Sequence, residues 1–152
     1  MSKLFDLKNK NVLLTGASKG MGLAMAQGLV SHGANVVISS RKLDQCEEAA
    51  KTINESVDKE KAFAFACNAS SKDELNALVE FSLSKLGSIT TLVCNAGVNS
   101  FFGSMSEIDD ESYDKTMNTN VKSNHWLINM VSPFMKESGG GSIMITSSIA
   151  AF

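Results

Sequence analysis

The apolar residues of this chain follow two alternating rhythms. Short runs rich in Val, Ile, Leu and Phe occur at Asn11–Thr15 (NVLLT), Asn35–Ser40 (NVVISS), Ala62–Cys67 (AFAFAC), Thr91–Asn95 (TLVCN) and Ser142–Thr146 (SIMIT). Runs of this length and make-up predict strands of the kind buried in parallel sheets. Between them, apolar positions recur at helical spacing. Met21–His32 carries Leu23, Ala26, Leu29 and Val30 on one side and stops at Gly33, a residue suited to ending a helix. Leu43–Val57 spaces Ala49, Ala50 and Ile53 in the same way. The next segment opens on Ser71 with Glu74 three residues on, a capping-box pattern, and closes at Gly87. Asp109–Lys136 predicts the longest helix, with Tyr113, Met117 and Val121 in one stripe and the only proline, Pro133, near its end.

Strands alternating with helices across short connections predict a doubly wound parallel sheet with helices on both faces. Its right-handed crossovers put ligands at the carboxyl ends of the strands. Neither a repeat nor a composition break divides residues 1–152, which read as one nucleotide-binding domain.

Composition narrows the function classes. The chain has 152 residues, 43% hydrophobic and 20% charged, the balance of a globular domain. A net charge of -2 gives no footing for nucleic acid or an anionic membrane as partner. The N-terminal MSKLFDLKNK lacks the apolar centre of a signal peptide, and no run approaches the ~20 apolar residues of a membrane span. Cys46, Cys67 and Cys94 are scattered and form no CxxC, which fits a reducing, cytoplasmic setting. His32 and His125 match no metal-ligand spacing and read as structural. The eight methionines read as core packing.

The chemistry begins at TGASKGMG, Thr15 to Gly22, between the first strand and the first helix. A helix N-terminus offers unpaired N–H groups and a partial positive charge, for which phosphate oxygens are natural acceptors. Gly16, Gly20 and Gly22 let the backbone turn and approach a ligand closely. Ser18, Lys19 and Met21 complete the loop. A P-loop is excluded, because Gly20 is followed by Met21 rather than Lys.

The spacing Gly16-x-x-x-Gly20-x-Gly22 resembles the TGxxxGxG fingerprint of the short-chain dehydrogenase/reductase family. CNAG (Cys94–Gly97) is similar to that family's NNAG, MNTNVKS (Met117–Ser123) to the helix segment around its catalytic asparagine, and GGSIMITSS (Gly140–Ser148) to the strand ending in its catalytic serine. VNSFFGS (Val98–Ser104) and SSIAAF at the end resemble carbonyl-reductase members. The resemblance implies a Rossmann fold and hydride transfer between a nicotinamide cofactor and a small carbonyl or alcohol. It places Asn68 beside the adenine and Asn95, Ala96 and Gly97 against the ribose. It assigns Ser148 to orient the carbonyl and Asn120 to hold a relay water. Family members form homodimers or homotetramers, the state implied for the full-length protein.

The end of the second strand bears on which cofactor. An acid there bonds the ribose of NAD and repels the extra phosphate of NADP. Here Ser40 takes the acidic position, Arg41 follows, and by resemblance Lys19 faces the same place. Two cations and no acid favour NADP(H). In a straight strand Thr146 and Ser148 share a face and Ser147 points away, so only one of the paired serines serves the site.

The family's Tyr-x-x-x-Lys pair has no counterpart. The only tyrosine, Tyr113, has Met117 four residues on. The expectation is therefore the N-terminal part of a larger reductase, the C-terminal part of the fold missing, inactive by itself, with Ser142–Thr146 left as an apolar edge strand. The competing reading is a non-catalytic nucleotide-binding module. A methyltransferase with a related sheet would want an acid at position 40.

Overall fold

The computed structural model describes residues 3–149. Its elements run β1 (Asn11–Thr15), α1 (Gly20–Ser31), β2 (Asn35–Ser40), α2 (Leu43–Val57), β3 (Ala62–Ala66), α3 (Lys72–Leu86), β4 (Thr91–Cys94), α4 (Asp110–Met117), a π turn (Asn118–Lys122), α5 (Ser123–Glu137) and β5 (Ser142–Ile145). All five strands join one parallel sheet in the order β3-β2-β1-β4-β5. The chain steps outward from β1 to β3, then returns to the other side of β1. The crevice between the carboxyl ends of β1 and β4 is thus the switch point at which such sheets bind ligands.

The alternating side chains of the central strands feed two cores. Val12 and Leu14 of β1, with Val36 and Ile38 of β2, pack on Ala26 and Val30 of α1 and on Ala49, Ala50 and Ile53 of α2. Leu13, Val37 and Leu92 point the other way, onto Leu75 and Leu78 of α3 and Leu127, Val131 and Met135 of α5. The doubly wound, Rossmann-like arrangement is therefore present with helices on both faces. The amino ends of the strands are tied by polar side chains. Asn35 Nδ2 donates to Asn11 Oδ1 and Lys61 Nζ to Asn35 Oδ1, both at 2.9 Å.

Local signals are realised with instructive departures. Gly87 closes α3 with φ +75°, and the Ser71 hydroxyl accepts the Glu74 N–H. The returning half of the capping box is altered: the Glu74 carboxylate accepts the Asn68 N–H at 2.7 Å, because the Ser71 N–H is already given to the Asn68 carbonyl. The helix expected to run unbroken over 109–136 widens into the π turn at Asn118–Lys122. There Ser123 Oγ and Asn124 Nδ2 donate to the carbonyls of Thr119 and Asn120, at 2.6 and 2.8 Å. The buried stripe is Thr119, Ser123, Leu127, Val131 and Met135, whereas Tyr113, Met117 and Val121 lie exposed. The methionine reading holds in part: Met135 is buried and Met25 and Met130 pack against the two cores, but Met21, Met105, Met117 and Met144 are exposed.

β5 is one edge of the sheet and β3 the other; Ile143, Met144 and Ile145 are all exposed, whereas no residue of the other four strands is. It ends at Ile145, so the face argument that separated Ser147 from Ser148 does not apply; both lie in irregular chain beyond the strand. The final segment beyond Ile149, including the end of SSIAAF, lies outside the described residues. No helix among the described residues is long and apolar enough to cross a membrane.

Candidate functional site

The site is built from the turn after β1. Gly16 takes φ +66°, and a Cβ on it would stand 2.8 Å from Ala96 Cα. A Cβ on Gly22 would lie 2.2 Å from the Gly16 carbonyl oxygen and 2.7 Å from Asn95 Nδ2. The two glycines therefore allow α1 to start directly against the end of β4. Lys19 caps α1 in extended conformation, without a side-chain hydrogen bond to the first turn. The amides of Gly20, Met21 and Gly22 then open the helix as donors in want of acceptors. The Met21 side chain itself is exposed, at 71%.

Thr15 and Asn95 lock this turn to its neighbours. Thr15 Oγ1 accepts the N–H groups of Asn95 and Ala96, both at 3.1 Å. Asn95 Nδ2 donates to the Gly16 carbonyl at 2.9 Å, and Asn95 Oδ1 accepts from Thr146 Oγ1 at 3.2 Å. One carboxamide thus joins the ends of β1, β4 and β5. Thr15 was visible only as a fingerprint letter; the role of its hydroxyl appears with the fold.

A cleft of about 860 Å³ opens over these strand ends. It gathers Gly16, Ser18, Lys19, Ser40, Arg41, Asn68, Asn95, Ala96 and Gly97 of the sequence-derived set. Gly20, Met21, Gly22, Asn120 and Ser148 are not on its wall. Lys42, Gln45, Ser70, Lys115 and Thr119 line it without having been singled out. Lys42 and Gln45 could have been suspected from adjacency to Arg41. Ser70 and Thr119 could not, since they meet only in the fold, hydroxyl to hydroxyl at 2.7 Å. Lys19, Arg41, Lys42 and Lys115 are the charged residues of the wall, which carries no carboxylate.

At the β2 end, Ser40 Oγ lies 3.1 Å from Cys46 Sγ and 3.5 Å from the Lys42 carbonyl. Asn68 Oδ1 accepts the Ser70 N–H at 3.1 Å, which shapes the loop after β3. Asn120, in the π turn, sits one layer behind the wall. Its side chain spans the Val98 peptide, accepting the N–H and donating to the carbonyl, both at 2.8 Å. Each end of its amide thus makes one bond to the loop after β4, and the side chain keeps one N–H and one lone pair for a further partner. Ser148 follows β5 by three residues and is exposed, on the side of the sheet's carboxyl ends where Thr146 N–H still reaches the Cys94 carbonyl at 2.9 Å.

The three cysteines are free and buried. Burial pushes the Cys67 thiol up to about 12 and the Cys94 thiol to about 11, so both stay protonated at neutral pH. The histidines serve their own helices: His32 Nδ1 contacts the Gly28 carbonyl at 2.8 Å and His125 Nε2 contacts Asn129 Nδ2 at 3.0 Å. Among the described residues no His, Cys, Asp and Glu cluster could hold a metal.

Comparison with known proteins agrees with this geometry. The family model described as short chain dehydrogenase matches residues 10–152. The chain belongs to the short-chain dehydrogenase family. Dehydrogenase/reductase SDR family member 4 of Homo sapiens is 38% identical over 153 residues, an alignment covering 100% of this chain and 54% of the relative. The chain spans about half the length of the curated relatives it matches. Among solved structures, hydroxysteroid dehydrogenase from Escherichia coli superposes with a TM-score of 0.89 at 32% identity, covering 97% of this chain and 59% of that one. The 3-ketoacyl-(acyl-carrier-protein) reductase from Brucella melitensis, complexed with NADH, gives 0.81 at 32% identity, covering 88% and 53%.

Proposed function

We propose that this chain supplies the nucleotide-binding part of an NADP(H)-dependent oxidoreductase that reduces a carbonyl, or oxidises a secondary alcohol, in the cytoplasm. The observation that carries the reading is the charge of the cleft. Lys19, Arg41 and Lys42 line the same cleft as Ser40, and no carboxylate lines its wall. A 2′-phosphate is an acceptor-only dianion, and donors held at that point favour it over a bare ribose hydroxyl. The NADH in the Brucella relative shows that structures like this one also take the unphosphorylated cofactor, so the local charge, not the fold, is what argues for the phosphate.

The residues fit a dinucleotide on physical grounds. A Cβ on Gly16 or Gly22 would collide with the chain's own backbone, whereas one on Gly20 would meet nothing within 4 Å, so the turn packs tightly on β4 and stays open to a ligand at Gly20. The opening amides of α1 would hold the pyrophosphate. Asn95 holds the turn and the end of β4 in one piece, which backs the ribose. When bound, the nicotinamide donates or accepts the hydride. Ser148 is the hydroxyl that the family resemblance assigns to orient the substrate oxygen, and Asn120 fixes the loop after β4 at Val98.

Calorimetric titration of the purified protein with NADP+ and NAD+ tests the reading. NADP+ binds more tightly, and its advantage shrinks as salt is raised, because exposed charge pairs are screened. Equal or tighter binding of NAD+ overturns it.

A further inference from the structure

Ser40 lines the cleft at the end of β2, and its hydroxyl is backed by a side chain that does not itself reach the cleft. Ser40 ends β2, and Cys46 lies on α2 directly behind it, fully buried, with its sulfur 3.1 Å from the Ser40 hydroxyl oxygen. We propose that Cys46 is a positioning residue for nucleotide preference: its thiol donates to Ser40 Oγ and leaves the Ser40 proton free for an acceptor-only group, the 2′-phosphate. The proposal rests on the NADP(H) reading above.

Either partner of the Ser40–Cys46 contact can donate, and the competing acceptors favour the thiol as donor. A serine hydroxyl has one proton and two lone pairs, while a thiol is a weak donor and a weaker acceptor. The Ser40 proton has the Lys42 carbonyl within reach at 3.5 Å, a long bond that a phosphate oxygen can replace. The thiol proton has the Ser40 Oγ at 3.1 Å and the Ser40 carbonyl at 3.9 Å, so the hydroxyl is its nearer acceptor. Burial raises the Cys46 thiol above its ordinary value, which keeps the donor proton in place at neutral pH. With one lone pair filled from behind, the hydroxyl cannot rotate freely and presents its proton to the cleft. A ribose 2′-hydroxyl can donate or accept, and gains less from this bias than a phosphate.

Binding constants for NADP+ and NAD+ are to be compared in the wild-type protein and in Cys46→Ala, Cys46→Ser and Cys46→Val. Loss of one neutral hydrogen bond predicts that the preference for NADP+ over NAD+ falls about two- to tenfold in Cys46→Ala, with NAD+ binding little changed. Cys46→Ser keeps a donor and restores the preference. Cys46→Val retains bulk without a donor and gives the same loss as alanine, which covers the case in which the smaller side chain fails to fold. A merely structural cysteine shifts both constants together and leaves their ratio at the wild-type value; that result overturns the proposal alone. A wild-type protein with no preference for NADP+ removes the reading beneath it.

Discussion

The carboxamide of Asn120 and the peptide of Val98 are joined by two reciprocal hydrogen bonds, both 2.8 Å long. Behind them, the Asn120 carbonyl takes Asn124 Nδ2 at 2.8 Å, and Thr119 next door bonds Ser70. The π turn is therefore a junction. It ties the loop after β4 to the loop after β3, from opposite ends of one cleft.

Asn120→Ala leaves the Val98 N–H and carbonyl without their partner. Each unsatisfied group costs about 1–3 kcal/mol when it is shielded from water. The urea midpoint should fall by the equivalent of about 2 kcal/mol for this part-buried pair. Asn120→Asp should be worse at neutral pH, because an oxygen replaces Nδ2 against the Val98 carbonyl, and should recover as acid protonates it. An aspartate variant as stable as the wild type contradicts the two-bond bridge.

Gly20 and Gly22 predict a contrast within one fingerprint. Gly22→Ala puts a methyl 2.2 Å from the Gly16 carbonyl oxygen, so backbone must move, and overpacking of that kind costs about 1–3 kcal/mol or more. Gly20 has nothing within 4 Å, and alanine there meets only its left-handed backbone, φ +58°, at about 1–2 kcal/mol. Thermal unfolding should rank Gly22→Ala below Gly20→Ala, and NADP+ binding should weaken in both, since a methyl at Gly20 points into open space where the turn is approached by the ligand.

What the sequence discloses here is what is local. The glycine turn, the Ser71 cap and Gly87 are encoded within a few residues, and all are found where the pattern puts them. The π turn is not, because the residues that stabilise it, Ser123 and Asn124, look like ordinary polar positions until their carbonyl acceptors are known. Strand β5 shows the other gap. Its apolar run alone reads as buried; the expectation of an apolar edge strand comes from the family resemblance, and Ile143, Met144 and Ile145 are exposed in agreement with it. Lys115 reaches the cleft from α4, far in sequence from Lys19 and Arg41, and charge alone could not have placed it there.

Lys19→Met and Arg41→Met each remove one donor from the β2 end of the cleft. A hydrogen bond to a charged group is worth about 1.5–3 kcal/mol, so each should weaken NADP+ about ten- to a hundredfold. NAD+ binding should stay near its wild-type value, since the missing contact is to a group it lacks. Equal losses for both cofactors would place these cations on the pyrophosphate instead. Fluorescence titration, with Trp126 as the single tryptophan, gives both constants on one sample.

The buried thiols set the alkaline limit of stability. Cys67 and Cys94 have folded values of about 12 and 11, above the ordinary thiol value of 9.0 that applies on unfolding. Below pH 9 both states hold the proton and the thiols contribute no pH dependence. Between pH 9 and about 11 the unfolded chain ionises while the folded protein does not, so stability falls as pH rises. Each thiol contributes a slope of about 1.4 kcal/mol per pH unit in that window. Denaturation midpoints measured from pH 8 to 10.5 should be flat at first and then decline. In Cys67→Ala/Cys94→Ala the decline should flatten by about twice that single-thiol slope. A double variant that declines as steeply as the wild type would show that these two thiols do not carry the alkaline loss.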